Sequence, residues 1–398
     1  MVTGIIAEYN PFHKGHEYHL KQAKINTNAD SIVCVMSGSF MQRGIPAIID
    51  KWKRTEMALK NGVDLVIELP LVYSLSSAEH FAFGAISLLN SLNIIDNLYF
   101  GSEEGNVKIL EDIASILVNE PNNYKIMLKN YLNLGLPFHL SRANALSDFF
   151  KSNHIMEAIS SSNNILGIEY IKALKALNSN IIPLTLKREG SKYNDQCLNT
   201  AFSSATSIRN HLKNKNLDYL KDFLPEDSYK ILYKLSSENN PFIFEESMFK
   251  YIKYKLITDG NSIKNLPDIS EGLDNKILKE VLKSNSLDEL ILNSKSKRYT
   301  YTRLNRILSQ FFLGLEKYDL LKLSKDPCPY CRVLGFNSKG KELLKNIKKN
   351  STIDIITKVP QNNINKCLEI DLLGTRGYSI LNPKVSPMQD YLTSPIIL

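Results

Sequence analysis

The sequence predicts an α/β protein: a parallel sheet wound on both faces by helices over residues 1–212, followed by a mainly α-helical region over 213–398. Three observations predict it. Short apolar runs alternate with helical patterns throughout the first half, as a parallel sheet with crossover helices requires. The first such run leads at once into a turn and a helix bearing two histidines around a glycine. Charge is also divided unequally: residues 1–212 carry 19 basic and 19 acidic side chains, so the whole +8 excess lies beyond them. A neutral half joined to a basic half suggests a partner that is a polyanion.

Taken in order, Val2–Glu8 reads as a buried strand and Gly15–Ala23 as the start of a helix. Ser31–Met36 is a second strand, entering a Gly/Ser/Pro-containing loop over Ser37–Ile49. Asp50 can cap a helix running to about Asn61, and Asp64–Leu69 is a third strand closed by Pro70. Helix Ser77–Leu92, strand Asn97–Phe100, a helical stretch from Asn106 to about His154, helix Asn164–Leu177, strand Ile181–Lys187 and helix Ser204–Lys213 follow. In such a sheet the ligand sits beyond the carboxyl ends of the strands. Beyond residue 213 the candidate helices are Leu217–Phe223, Asp227–Ser236, Phe242–Thr258, Asn275–Ser284, Leu287–Ile291, Thr302–Leu315 and Lys339–Ile347, with short strands near Arg332–Phe336 and Ile353–Lys358.

Several classes are excluded. No basic segment precedes the first apolar run, so it does not read as a signal peptide. The longest apolar stretches, such as Leu65–Leu75, fall well short of the roughly 18 residues that span a bilayer. Five scattered cysteines do not make a disulfide framework, and a cytoplasmic protein is the simplest reading.

The chemistry concentrates in Asn10-Pro11-Phe12-His13-Lys14-Gly15-His16, directly after the first strand. Two histidines flanking a glycine where a helix begins aim both imidazoles and the free helix amides at one point, an arrangement suited to phosphate; His19 follows one turn on. The plainer alternative is that the histidines cap the helix. A second segment, Ser203-Ser204-Ala205-Thr206-Ser207-Ile208-Arg209, brings hydroxyls and a guanidinium to another helix start, a polyphosphate grip or an ordinary N-cap.

These segments resemble the HxGH motif and the serine/threonine/arginine motif of the HIGH nucleotidyltransferase superfamily, whose fold is Rossmann-like. More specifically, Gly4–His19, Met36–Ala47, Lys51–Leu69, Phe100–Glu103 and Asn163–Leu174 are similar to the bacterial tRNA(Met) cytidine acetate ligases, and the likeness continues more weakly through Lys297–Arg306 and Arg332–Phe336. The resemblance implies that ATP activates acetate as acetyl-adenylate with release of pyrophosphate, and that the acetyl group passes to the N4 amine of the wobble cytidine of elongator tRNA(Met). By this resemblance His13 and His16 serve the α/β-phosphates and the transition state. Ser203, Ser204, Thr206 and Arg209 serve the β/γ-phosphates. Ile6, Ala7, Glu8, Tyr9, Asn10, Pro11, Phe12, Lys14, Gly15 and His19 wrap the nucleotide, while Gly101, Asn163, Asn164 and Arg188 make further ATP contacts. Mg²⁺ is expected to ride on the ATP phosphates, and the sequence names no protein ligand for a metal. The loop over Gln42-Arg43-Gly44 could close over acetate or the acceptor base. Ser39, Ile45 and Ser162 depart from the family pattern, which puts catalytic roles for side chains at 39 and 45 in doubt.

The densest basic stretch includes Lys295, Lys297, Arg298, Arg303 and Arg306, interleaved with Tyr299 and Tyr301; residues 295–349 carry 14 basic and 4 acidic side chains. Helical spacing predicts that Arg303 and Arg306 lie on an exposed stripe while Leu304, Ile307, Leu308 and Phe311 pack. Phosphate contacts and base stacking fit this stretch, as does a solvated lysine-rich face; the resemblance favours tRNA. Cys328-Pro-Tyr-Cys331 lacks the second pair a zinc site needs, and Asp64 and Glu68 read as structural rather than as a metal site. Two other functions remain open from the residues: adenylylation of a small metabolite, and RNA binding without catalysis.

Overall fold

The computed structural model describes residues 1–188, 204–362 and 364–398. Its strands are β1 (Val2–Ala7), β2 (Ser31–Ser37), β3 (Leu65–Leu69), β4 (Asn97–Ser102), β5 (Ile182–Lys187), β6 (Tyr330–Phe336), β7 (Asp354–Ile356) and β8 (Ile396–Ile397). They form one sheet of order β5-β4-β1-β2-β3-β6-β7, with β8 also on β6. The helices that bear on the site are α1 (Lys14–Asn26), α2 (Lys51–Lys60), α3 (Ala78–Ser91), α4 (Ser162–Ala176), α5 (Ala205–Lys213), α6 (Tyr301–Phe312) and α7 (Lys366–Leu381).

Strands β1 to β5 are parallel, as the alternation predicts. Every residue of β2 is buried, because helices cover both faces; that is why it reads as an unbroken apolar run. Val33, Val35, Leu65 and Ile67 face one core, while Ile32, Cys34, Met36 and Val66 face the other. The sheet is not wholly parallel, however. β6 runs antiparallel to β3 and covers an edge that would otherwise present unpaired backbone groups. β6, β7 and β8 all come from beyond residue 213, so the change of composition at 212/213 does not coincide with a break in the sheet.

The expected helical stretch over 106–154 is four helices: Val107–Asn119, Asn122–Asn133, Phe138–Phe150 and Asn153–Ala158. Pro121 and Pro137 start the second and third, and Glu120, Gly135 and Lys151 take positive φ at the breaks. Among the described residues no helix is long and apolar enough to cross a membrane.

The sheet order itself creates the crevice. From β1 the chain moves to β2 on one side, whereas β4 lies on the other, so the connections diverge between β1 and β4. These two strands pair only at Thr3 with Asn97 and Gly4 with Leu98. Beyond that register their carboxyl ends separate.

Candidate active site

A cavity of about 440 Å³ fills that opening. Its floor is the end of β1, from Ile5 to Asn10, together with Phe100 and Gly101 of β4. Tyr9 takes a left-handed φ of 45° and turns the chain out of the strand. Fully buried Arg54 on α2 gathers the carbonyl oxygens of Glu8 at 2.8 Å, Ser37 at 2.9 Å, and Gly38. It thereby holds the ends of β1 and β2 side by side.

His13 is the N-cap of α1, its Nδ1 accepting from the Gly15 N–H at 3.1 Å. His16 Nδ1 accepts from the His13 N–H at 3.3 Å, which completes a capping box. The two rings stack with centroids 3.6 Å apart. Capping and ligand binding are therefore not alternatives. With Nδ1 of each neutral ring occupied as an acceptor, Nε2 carries the proton and is the donor left for a ligand. Burial, then Arg188 and Arg209, pushes His13 down to about 3. Burial and its histidine neighbours hold His16 well below the ordinary imidazole range, and burial with Arg188 brings His19 to about 4. All three are neutral donors or acceptors at pH 7 before an anion arrives. His19 lines the cavity, and its buried Nε2 has no partner among the described residues.

The opposite wall is α5. Ser204 caps it, accepting from the Ser207 N–H at 3.1 Å. Arg209 donates to the Asn10 carbonyl at 3.0 Å and to Thr206 Oγ1 at 3.1 Å, joining the two phosphate-type motifs. Ser203 lies outside the described residues. Arg188 enters from the end of β5, its N–H bonded to the Ser102 carbonyl at 2.9 Å. A Cβ on Gly101 would sit 3.3 Å from the Arg188 side chain, so glycine gives that side chain room over the end of β4.

Most of the sequence-selected residues thus line one cavity: Ile6 to Asn10, His13, Gly15, His16, His19, Gly101, Asn163, Arg188, Ser204, Thr206 and Arg209. Pro11, Phe12, Lys14 and Asn164 stand outside its wall. Phe12 is fully buried and supports His16 from behind, with centroids 5.6 Å apart. Asn164 turns away into the loop after β4, where its Oδ1 accepts from the Glu104 N–H at 3.0 Å. Asn163 remains in the wall and donates to Glu103 at 2.6 Å.

The cavity also takes in residues outside the two helix-start motifs, some of them from the loop that the sequence singles out. Gln42, Arg43 and Ile45 come from the loop after β2, Phe81 from α3, Tyr170 from α4 and Thr302 from the start of α6. The Gln42–Gly44 turn carries a recognisable signal; Phe81 and Tyr170 do not, because at helical spacing they look like core.

Thr302 shows how the basic region reaches the site. α6 packs on the loop after β2 through Asn305 Nδ2 to the Arg43 carbonyl at 3.2 Å and Ser309 Oγ to the Gly44 carbonyl at 2.6 Å. These polar contacts rotate the helix, and the expected exposed stripe of Arg303 and Arg306 is not formed. Arg303 lies over the Tyr299 ring, donates to the Asp268 carbonyl at 3.0 Å and pairs with its carboxylate at 3.2 Å. Arg306 is half-buried, and burial lowers its guanidinium below the usual range. Lys295 and Lys297 are exposed, and Arg298 is exposed but paired with Glu271.

The remaining motifs are structural. Cys328 and Cys331 are free and buried, and burial pushes the Cys331 thiol up to about 12. Asp64 accepts from the Ile32 N–H at 2.8 Å, tying β3 to β2. Glu68 belongs to a buried ion cluster outside the cavity wall.

A crevice at a strand-order reversal, a histidine-capped helix and an arginine-bearing helix facing it define a nucleotidyl transferase, and the family model described as HIGH Nucleotidyl Transferase matches residues 1–391. A protein of Clostridium novyi named tRNA(Met) cytidine acetate ligase is 54% identical over 100% of this chain and 99% of its own, and one of that name from Clostridium kluyveri is 50% identical with the same coverage. The crystal structure of Thermotoga maritima TmcAL bound with alpha-thio ATP is similar with a TM-score of 0.91 and 33% identity, covering 100% of this chain and 99% of that one. The chain belongs to the tRNA(Met) cytidine acetate ligase family.

Proposed function

We infer that the protein is an ATP-dependent ligase that activates acetate as acetyl-adenylate and transfers the acetyl group to the N4 amine of the wobble cytidine in elongator tRNA(Met), forming N4-acetylcytidine. The observation that carries this reading is the convergence of His13, His16, Arg188 and Arg209 on one cavity whose wall also includes Thr302 from the basic region. Family membership supports the substrates.

The first step needs placement and charge stabilisation rather than a protein nucleophile. An acetate oxygen attacks the α-phosphorus while the bond to pyrophosphate breaks. Nε2–H of His13 and His16 would donate to the phosphoryl oxygens as charge builds, and Arg209, Thr206, Ser204 and the α5 amides would hold the departing pyrophosphate. Arg188 sits where it can balance the same charge. Among the described residues no three His, Cys, Asp or Glu side chains come together to hold a metal. Mg²⁺ would be carried by the ATP phosphates.

Lys295, Lys297 and Arg298 are proposed to contact the tRNA backbone, with Arg303 and Arg306 shaping the surface between them and the cavity. A tRNA substrate supports action in the cytoplasm. The deciding experiment incubates the protein with ATP, labelled acetate and unmodified tRNA(Met), then digests the tRNA to nucleosides. Labelled N4-acetylcytidine is expected; folded protein that yields none overturns the reading.

A further inference from the structure

One side chain in the cavity does not suit the first step. Among the described residues lining it, Glu8 is the single carboxylate; Arg43, Lys187, Arg188 and Arg209 are cationic. Glu8 directly follows β1, just before the histidine-bearing turn, and its Oε1 accepts from the Gln42 N–H at 2.7 Å. A carboxylate repels both ATP and acetate, and attack of acetate on the α-phosphorus moves no proton. Acyl transfer does move one. As the cytosine N4 bonds to the acetyl carbon, the carbon's bond to the adenylate oxygen breaks, AMP leaves with that electron pair, and one N4 proton must go to a base.

We propose that Glu8 is the general base of the acyl-transfer step, accepting the N4 proton of the acceptor cytosine and later releasing it to solvent. This rests on the acetyl-transfer reading above. The other candidates in the wall are poorly placed for the task. His13 and His16 use Nδ1 to accept backbone N–H groups, so their cavity-facing nitrogens are donors. Burial and Glu8 push the Tyr170 hydroxyl above its ordinary range, so it stays protonated. His19 keeps an unpartnered Nε2, but it packs against Tyr99, with centroids 5.1 Å apart, one helical turn beyond His16.

Position favours Glu8 as well. Its hydrogen-bond donor, Gln42, belongs to the loop that α6 grips through Arg43 and Gly44, so the carboxylate lies on the path from the basic region. A loop nucleotide turned out of its stack would enter from that side. The charged and titratable groups around Glu8 are Arg43 from the loop, Arg209 from α5, Arg54 from α2 and Tyr170 from α4. Burial raises the Glu8 carboxyl, and the Gln42 N–H bond and the three arginines only partly offset it. A base works once ionised, so transfer should rise with pH through that raised value and then level off.

The test compares wild type with Glu8→Gln, Glu8→Asp and His19→Gln in two assays on the full chain. Acetate-dependent exchange of labelled pyrophosphate into ATP reads the first step; single-turnover acetylation of unmodified tRNA(Met) across pH reads the second. Glu8→Gln should slow transfer by about 100-fold or more, in the range of a lost general base, while exchange falls by less than about 10-fold. It should also lose the rising pH limb, and Glu8→Asp should regain part of both. Equal loss in the two assays, or transfer at the wild-type rate, overturns the proposal. So does a pH limb that survives in Glu8→Gln and disappears in His19→Gln. Should Glu8→Gln fail a thermal-melting check, Glu8→Asp and the wild-type profile decide, and a flat wild-type profile counts against Glu8. Exchange without any wild-type acetylcytidine would instead remove the ligase reading on which the proposal stands.

Discussion

Each of His13 and His16 works with both ring nitrogens: Nδ1 holds the helix start and Nε2–H faces the cavity. His16→Ala removes a donor and half of the capping box. It should lower pyrophosphate exchange by about 100-fold, as loss of a preorganised donor commonly does, while leaving tRNA retention on a filter unchanged. Because burial and the arginines keep the rings neutral, their donor role does not depend on protonation near pH 7. ATP affinity measured by calorimetry should therefore vary little between pH 6 and 8. An ordinary imidazole would lose its charge across that interval, so a steep fall with rising pH would show that the cations, not the neutral donors, bind phosphate. The motif histidines are legible in the sequence because all the atoms they need lie within a few residues. Asn164 is not: two adjacent asparagines at a helix start look alike, and only the position of the loop after β4 decides which one lines the cavity.

At the scale of elements, the contact between α6 and the loop after β2 joins the cavity to the basic region. Gly44 takes φ of 77°, and a Cβ there would collide with the backbone of Asn305 and Arg306. Gly44→Ala should cost about 1–3 kcal/mol in denaturant unfolding, as overpacked sites do, and should slow acetyl transfer more than adenylate formation. The basic stretch gives a second contrast. Exposed Lys295 and Lys297 are available to phosphate, whereas Arg303 is engaged by Asp268 and Tyr299. Lys295→Ala/Lys297→Ala should reduce the slope of log affinity for tRNA against log salt by about one unit for each phosphate that a lysine no longer neutralises. Arg303→Ala should lower the melting temperature and change that slope less. Helical spacing identifies the apolar face of α6, but not which flank its arginines occupy. Asn305, Ser309 and Gln310 settle that by bonding carbonyls in distant loops.

For the molecule as a whole, a buried cluster fastens the second half to the sheet. Lys51 on α2 pairs with Glu68 on β3 at 2.7 Å and with Asp390 at 2.8 Å, and Arg332 on β6 pairs with the same two carboxylates at 3.1 and 2.6 Å. Two cations and two anions balance, all nearly inaccessible. Asp371 on α7 adds a further tie, accepting from the Leu71 N–H and the Tyr330 hydroxyl, each at 2.6 Å. Lys51→Met leaves Glu68 and Asp390 short of positive charge and should destabilise the protein by about 3–5 kcal/mol in urea unfolding. A loss below about 1 kcal/mol would mean that water or a shifted proton makes good the missing charge. The cluster also explains why Glu68, which alternates with Ile67 along a strand, is no metal ligand: its oxygens are occupied by cations from two other elements.

The sequence by itself determined the strand–helix alternation, the histidine-bearing turn after β1, the arginine-bearing helix that faces it and the division of charge between the halves. Each of these is written in residues close together in the chain, where periodicity, capping and motif spacing operate. Tertiary structure alone decided that β6 closes the sheet antiparallel, that Phe81, Tyr170 and Thr302 share the cavity with the histidines, and that Glu8 is its single described carboxylate. Those outcomes depend on strand order and on long-range burial, which bring together residues whose separation in sequence carries no local signal.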